Sequence, residues 1–139
     1  MSTHLKDKVE KIEQIILRLI EESAKSKPII VEGRKDAETL TDLGVTGTVL
    51  TLKTGGKSFL QATTEIEELG VGEVILLLDF DRRGKEGTKR LHGDLDRAKI
   101  KVNDRFWKEM YALVGHEVQS IEGLTNYLKT LHEKTLDQK

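Results

Sequence analysis

A chain of 139 residues, of which 37% are hydrophobic and 34% charged, has the size and composition of one globular domain with a highly charged surface. The absence of cysteine excludes disulfides, thiolate metal sites and cysteine nucleophiles, and no apolar run is long enough for a membrane span or a signal peptide. The formal net charge of −1 gives no overall basic signal for nucleic acid, so any such surface must be local. These features predict a cytoplasmic protein stabilised by core packing.

Helical and strand patterns alternate along the chain. An apolar stripe that begins with Leu5, Val9 and Ile12 predicts an amphipathic helix over residues 3–25, which the Pro28 segment ends. Short apolar runs then predict four strands, at residues 29–31, 48–52, 73–78 and 100–102. Helical spacing and capping residues predict the remaining helices at 36–43, 58–69 and 85–98, followed by two that Asp104 and Ser120 cap.

The alternation predicts an α/β fold with a four-stranded parallel, Rossmann-like sheet, helices on both faces and extra helices at both termini. The run at 73–78 is continuously aliphatic apart from its first residue, as is typical of a strand covered on both faces. We divide the chain into an N-terminal helix at 1–26 packed on the core, a core at 27–103 and a C-terminal helical extension at 104–139, all in one domain.

Three carboxylates directly follow predicted strands: Glu32 follows the first, and Asp79 and Asp81 follow the third. Alone, each would more often be a helix cap or a solvated turn residue. Ligands of open α/β sheets, however, bind outside the carboxyl ends of strands, and in the strand order 2-1-3-4 the first and third strands are neighbours. Asp79 and Asp81 leave the same side of an extended backbone, with Phe80 on the other side, and such a pair suits Mg²⁺. Glu32 either completes the metal site or transfers a proton.

These residues resemble the motifs of the Toprim family, which includes bacterial-type primases, topoisomerases and several nucleases. The first motif is the segment 31–33 with Asp36 and Leu40, and the second is the segment 78–84. The resemblance covers residues 27–103 and implies a Toprim sheet in the order 2-1-3-4. It also implies a site in which Glu32 is a general acid or base and also a metal ligand.

The resemblance further implies that Asp79 and Asp81 bind Mg²⁺, with Mn²⁺ as the alternative ion, and that Gly33, Asp36 and Gly84 support the site. Some members of the family have a third acid two positions after the second aspartate. Position 83 is an arginine here, which favours a site of two aspartates with Glu32 over one of three successive aspartates.

Basic residues cluster after the aspartate pair, since nine basic residues stand against four acidic ones between positions 82 and 105. Gly84 would let the amides of a helix N-terminus approach a phosphate. Arg82, Arg83 and Lys85 are therefore predicted to bind phosphates, and Lys57 is added from the turn after the second strand. A solvated helix face is the alternative for residues 89–105, and a plain turn lysine is the alternative for Lys57.

Three other signals are given less weight. The segment 56–58 imitates part of a nucleotide-binding P-loop but lacks the first glycine of that motif. His92 and His116 have no partner at metal-ligand spacing, and surface or capping roles are favoured for them. Trp107 and Tyr111 share a helix face and are predicted to fill the core rather than to stack on bases.

The leading hypothesis is a Mg²⁺-dependent nuclease that cleaves phosphodiesters of RNA or DNA, in RNA processing or DNA repair. The alternative is a non-catalytic module that uses the same metal site to bind nucleic acid within a larger assembly. The terminal helices either cover the domain's own sheet or form the surface for a homodimer or another protein partner, and no membrane partner is expected.

Overall fold

The computed structural model describes residues 2–52 and 58–137. It contains a four-stranded sheet in the order β2-β1-β3-β4, with β1 Ile29–Val31, β2 Val49–Thr51, β3 Glu73–Leu76 and β4 Lys101–Asn103. Every adjacent pair is parallel, and Ile29 lies between Val49 and Ile75 in the register. The predicted fold class and strand order are therefore confirmed.

Helices cover both faces of this sheet, because each strand sends alternate side chains to opposite faces. Ile29, Val31 and Ile75 face one hydrophobic cluster, whereas Ile30 and Leu76 face the other. The first cluster is covered by α1 Ser2–Ser23, α2 Arg34–Leu43, α5 Arg105–Val114 and α6 Leu124–Asp137. The second is covered by α3 Phe59–Glu68 and α4 Arg82–Arg97.

The N-cap predicted at Ser58 is present. Its Oγ accepts a hydrogen bond from the Gln61 amide at 3.1 Å, and the Gln61 side chain accepts one from the Ser58 amide at 2.8 Å. This reciprocal capping box satisfies two amides that the first turn of a helix otherwise leaves without partners. The capping box therefore fixes the first turn of α3.

Asp104 and Ser120 occupy N-cap positions, at the starts of α5 and of a 3₁₀ turn, but neither side chain forms a capping hydrogen bond with the described residues. At the start of α5, the side chain of Asn103 rather than that of Asp104 accepts a hydrogen bond from the Arg105 amide, at 3.0 Å. The last helix does not begin after Ser120, because a 3₁₀ turn at Ile121–Gly123 precedes α6. Asp104 instead contacts the ring of His92, with 3.2 Å between Oδ2 and Nδ1, which agrees with the surface role expected for that histidine.

The helix after the acidic pair begins at Arg82, three residues before the predicted start at residue 85. The sequence Arg82-Arg83-Gly84 is expected to form a glycine-bearing turn before the helix. In the structure, Asp81 caps the helix and the three residues form its first turn. The basic side chains thus stand on a helix directly beside the strand ends. In the part of the chain that the structure describes, no helix is long and apolar enough to cross a membrane.

Candidate metal and nucleic-acid site

Glu32 and Asp79 meet at the carboxyl edge of the sheet. Glu32 follows β1 directly, and Asp79 lies three residues beyond the end of β3, the neighbouring strand. The Oε2 atom of Glu32 accepts a hydrogen bond from the backbone amide of Asp79, with a separation of 3.4 Å. Both residues are partly exposed, so the carboxylates border solvent rather than the core. Two acids separated by 47 positions in the chain therefore share one site, as the strand order predicts.

Asp81 is positioned by its role as the N-cap of α4. Its Oδ1 atom accepts a hydrogen bond from the Gly84 amide at 2.7 Å. The sequence predicted that the Gly84 amide would face a phosphate. In the structure this amide instead donates a hydrogen bond to the Asp81 side chain and so helps to position Asp81.

Gly84 is required by the close approach of α4 to the acidic segment. A β-carbon at this position would lie 1.9 Å from the carbonyl oxygen of Asp79 and 2.5 Å from its carbonyl carbon. Both are backbone atoms, which cannot move aside as the end of a flexible side chain does. The absence of a side chain at Gly84 therefore allows the helix to pack directly on the segment that carries Asp79.

The C-terminal extension holds the same segment from the other side. The indole nitrogen of Trp107 donates hydrogen bonds to the carbonyl oxygens of Leu78, at 2.9 Å, and Asp79, at 3.2 Å. The Phe80 amide donates to the Gln119 carbonyl at 2.6 Å, and the Phe80 ring lies 6.0 Å from that of Trp107. The extension therefore fixes the backbone that carries the aspartates.

The role of Trp107 was missed at the level of sequence. Burial of Trp107 and its ring stacking with Tyr111 at 5.0 Å agree with the expected core role. A buried indole N–H, however, requires an acceptor, and that requirement is the signal that marks Trp107 as more than core filling. The sequence alone does not show which carbonyl oxygens accept the bonds.

Asp36 links the first motif to the extension. This buried carboxylate accepts hydrogen bonds from the Gly33 amide at 3.1 Å, through Oδ2, and from the Glu122 amide at 2.8 Å, through Oδ1. Gly33 itself has room for a β-carbon, whose nearest neighbour would be Asp36 Oδ2 at 3.8 Å. Asp36 therefore supports the site through backbone contacts.

Replacement of Asp36 by alanine is expected to lower the free energy of unfolding by about 1–3 kcal/mol, because two amides lose their acceptor at a largely buried position. Urea denaturation measures this change. Glu38→Ala on the exposed side of the same helix is the matched control and is expected to change stability by less than about 0.5 kcal/mol. Equal effects of the two substitutions would contradict the assigned role of Asp36.

The predicted phosphate-binding residues differ in their surroundings. Arg82 pairs with Glu86, with 3.2 Å between Nε and Oε1, and the Lys85 ammonium lies 5.8 Å from the centre of the Tyr111 ring. Arg83 is exposed and forms no ion pair within residues 2–52 and 58–137. Lys57 lies outside the described residues.

An open crevice of about 340 Å³ lies beside the acids, between α3 and α4. Glu32 and Arg83 line it together with Phe59, Glu86 and Arg90. One crevice thus combines a carboxylate of the acidic site with arginine side chains and an aromatic ring. The structure therefore brings Arg83 to the same place as Glu32, whereas Arg82 and Lys85 are not among the residues that line the crevice.

The donor set at this edge fits a hard divalent cation. Glu32, Asp79 and Asp81 offer carboxylate oxygens, the ligand type that Mg²⁺ prefers. Among the residues that the structure describes, no group of three or more acidic or histidine side chains is gathered closely enough to hold a metal ion. Proteins usually hold Mg²⁺ with one or two carboxylates and complete its coordination with water and phosphate oxygens.

Comparison with known proteins agrees with the fold. Residues 26–104, more than half of the chain, match the Toprim domain. The chain therefore belongs to the Toprim family. Membership of this family indicates a function that depends on metal and is related to nucleic acid, since Toprim domains typically bind divalent metal ions.

Among curated proteins, the chain is similar to UPF0292 proteins of archaea. It is 38% identical to the one from Methanocaldococcus jannaschii, over 81% of this chain and 89% of that protein. It is 33% identical to one from Methanosarcina acetivorans, over 92% of this chain and 87% of that protein. A solved structure of a protein from Aquifex aeolicus shares the fold, with a TM-score of 0.63 and 22% identity over 78% of this chain and 94% of that chain.

Proposed function

We propose that the protein hydrolyses phosphodiester bonds of RNA or DNA in a Mg²⁺-dependent reaction at the carboxyl edge of its sheet. The observation that carries this proposal is the 3.4 Å contact between the Glu32 carboxylate and the Asp79 amide. This contact supports the proposal because it joins the Glu32 carboxylate to the segment that carries Asp79, beside a crevice that Arg83 also lines.

Each side chain has a distinct part in this reaction. Asp79 and Asp81 would hold Mg²⁺, which when bound neutralises charge that develops on the phosphoryl oxygens. Arg83 binds a non-bridging phosphate oxygen and orients the scissile bond in the crevice. Glu32 accepts a proton from the attacking water as its oxygen forms the new bond to phosphorus. The same carboxyl group then gives the proton to the leaving oxygen as the old phosphorus–oxygen bond breaks.

Labelled RNA, single-stranded DNA and duplex DNA, incubated with Mg²⁺ or Mn²⁺, test this proposal. Wild-type protein is compared with Glu32→Gln and Asp79→Asn. Cleavage by the wild type that both substitutions abolish is the expected result. Binding that depends on metal, without cleavage of any of the three substrates, would contradict hydrolysis and support the non-catalytic binding module.

Trp107→Phe tests whether the extension positions the metal-binding segment. The substitution keeps an aromatic ring but removes the donor to the Leu78 and Asp79 carbonyls. Loss of a partner that orients ligand-bearing groups typically weakens metal affinity by about 10- to 100-fold, so the Mg²⁺ concentration for half-maximal cleavage is expected to rise accordingly. The maximal rate at saturating Mg²⁺ is expected to fall much less.

Tyr111→Phe is the control for this prediction. It keeps the ring that stacks on Trp107 and removes only a hydroxyl. Its Mg²⁺ dependence is expected to match that of the wild type. If Trp107→Phe lowered the maximal rate with no change in Mg²⁺ dependence, Trp107 would not position the metal site.

A further inference from the structure

Phe59 forms part of the wall of the crevice that Glu32 also lines. This residue is the first of α3, and the capping box between Ser58 and Gln61 fixes the backbone on which its ring is mounted. The ring lies against Gly87 of α4, where a β-carbon would be 3.3 Å from Phe59 Cζ. An aromatic ring is therefore held, partly exposed, at the side of the crevice that contains Glu32.

Two arginines of α4 face the same crevice. The guanidinium of Arg90 lies over the Phe59 ring, 5.5 Å from its centre, and Arg90 also contacts Asp94 at 3.5 Å. Arg83 stands seven residues earlier, which is two turns of the helix and therefore the same face. The acid of the crevice next to them, Glu86, is already paired with Arg82. The wall thus offers an aromatic ring, the guanidinium of Arg90 over it, and the guanidinium of Arg83, which forms no ion pair with the described residues.

From this arrangement we infer that the crevice binds one unstacked nucleotide of a single-stranded nucleic acid. The base stacks on the surface formed by Phe59 and Arg90, and the backbone phosphate contacts Arg83. Aromatic rings and guanidinium planes are the groups on which proteins stack single-stranded bases, largely without regard to sequence. The inference rests on the proposed function only for the position of the scissile bond, which would lie beside Glu32 in the same crevice.

The size of the crevice favours a single strand over a duplex. A volume of about 340 Å³ lies at the lower end of the range of small-molecule sites, which suits one nucleotide. Bases in a duplex are stacked on one another, so their faces are not accessible to Phe59. The substrate class is therefore single-stranded RNA or DNA, or the frayed end of a duplex.

Binding of a fluorescein-labelled, mixed-sequence single strand, measured by anisotropy in EDTA, tests the inference without any cleavage. A blunt duplex of equal length is the comparison. Wild-type protein is expected to bind the single strand at least about tenfold more tightly. Phe59→Leu, which keeps apolar volume but removes the ring, is expected to lose about tenfold in affinity, whereas Phe59→Tyr is expected to keep it.

Arg83→Gln and Arg97→Gln form a matched pair on the same helix. Arg83 lines the crevice, whereas Arg97 stands in the last turn of α4, where it pairs with Asp94. Arg83→Gln is expected to weaken binding and to reduce the salt dependence of the affinity by the equivalent of about one phosphate contact. Arg97→Gln is expected to leave the affinity within about twofold of the wild type. This change is much smaller than the loss expected from removal of one phosphate contact.

Equal affinity for duplex and single strand, or unchanged affinity of Phe59→Leu, would overturn the inference. Thermal unfolding of each variant shows whether the fold is kept, and the tyrosine variant separates stacking from packing. Failure of the proposed hydrolysis has a different signature, since binding would then still depend on Phe59 while no substrate was cleaved. Cleavage with no effect of Phe59→Leu on binding would refute only this inference.

Discussion

Replacement of Glu32 by glutamine is expected to reduce Mg²⁺-dependent cleavage by about 10²- to 10⁴-fold, the usual contribution of general acid–base catalysis. Glutamine has nearly the same shape as glutamate. Its amide oxygen can still accept the hydrogen bond from the Asp79 amide, which in the structure lies 3.4 Å from Glu32 Oε2. It cannot accept and return the proton. The rate at saturating substrate and Mg²⁺ measures the effect directly.

Glu68→Gln is the control for this change, because it removes an equal charge at an exposed position at the end of α3. Its cleavage rate is expected to match that of the wild type. The melting temperature of Glu32→Gln is expected to stay close to that of the wild type, which separates loss of chemistry from loss of fold. Full activity of Glu32→Gln would show that this carboxylate transfers no proton in the reaction.

Gly84→Ala is expected to cause the largest loss of stability of any single methyl addition proposed for this protein. The added β-carbon would lie 1.9 Å from the Asp79 carbonyl oxygen, so α4 or the acidic segment must move. Overpacking of this kind typically costs about 1–3 kcal/mol, and a clash with backbone belongs at the upper end of that range. Urea denaturation measures the loss, and the same movement is expected to weaken cleavage.

Gly72→Ala provides the comparison for Gly84→Ala. A β-carbon at Gly72 would meet nothing within 4 Å, and this glycine does not adopt a positive φ angle. Its stability is expected to stay within about 0.5 kcal/mol of the wild type, or to rise slightly because alanine restricts the unfolded chain. If both alanine variants were equally stable, the close approach of α4 to Asp79 would not be a requirement of the fold.

The sheet was predictable because its determinants are local. The aliphatic run at 73–78 and the run at 29–31 mark strands buried on both faces, and the alternation with helices leaves few topologies open. That topology in turn predicts that Glu32 and Asp79 share one edge, which the 3.4 Å contact confirms. The order in which strands and carboxylates follow one another along the chain is thus enough to predict which acids lie at the same edge of the sheet.

The details that fix the site depend on contacts between distant segments. The hydrogen bonds of Trp107 to the Asp79 segment and of Asp36 to Glu122 join residues that no local pattern connects. Glycine is a poor helix former, yet α4 begins at Arg82 rather than at residue 85, and Gly84 packs closely on the Asp79 backbone. Tertiary packing overrides local propensity at this position.

We propose that a divalent ion binds at the edge formed by Glu32, Asp79 and Asp81. Mn²⁺ added below stoichiometry, with ¹⁵N-labelled protein observed by NMR, shows where the ion sits. The backbone amide signals of Glu32 and Asp79 are expected to broaden first, and excess Mg²⁺ is expected to restore them. The amides of Gly47 and Gly72, which precede β2 and β3 at the opposite edge, are expected to stay sharp. Broadening at that opposite edge first, or none at all near Asp79, would contradict the claim.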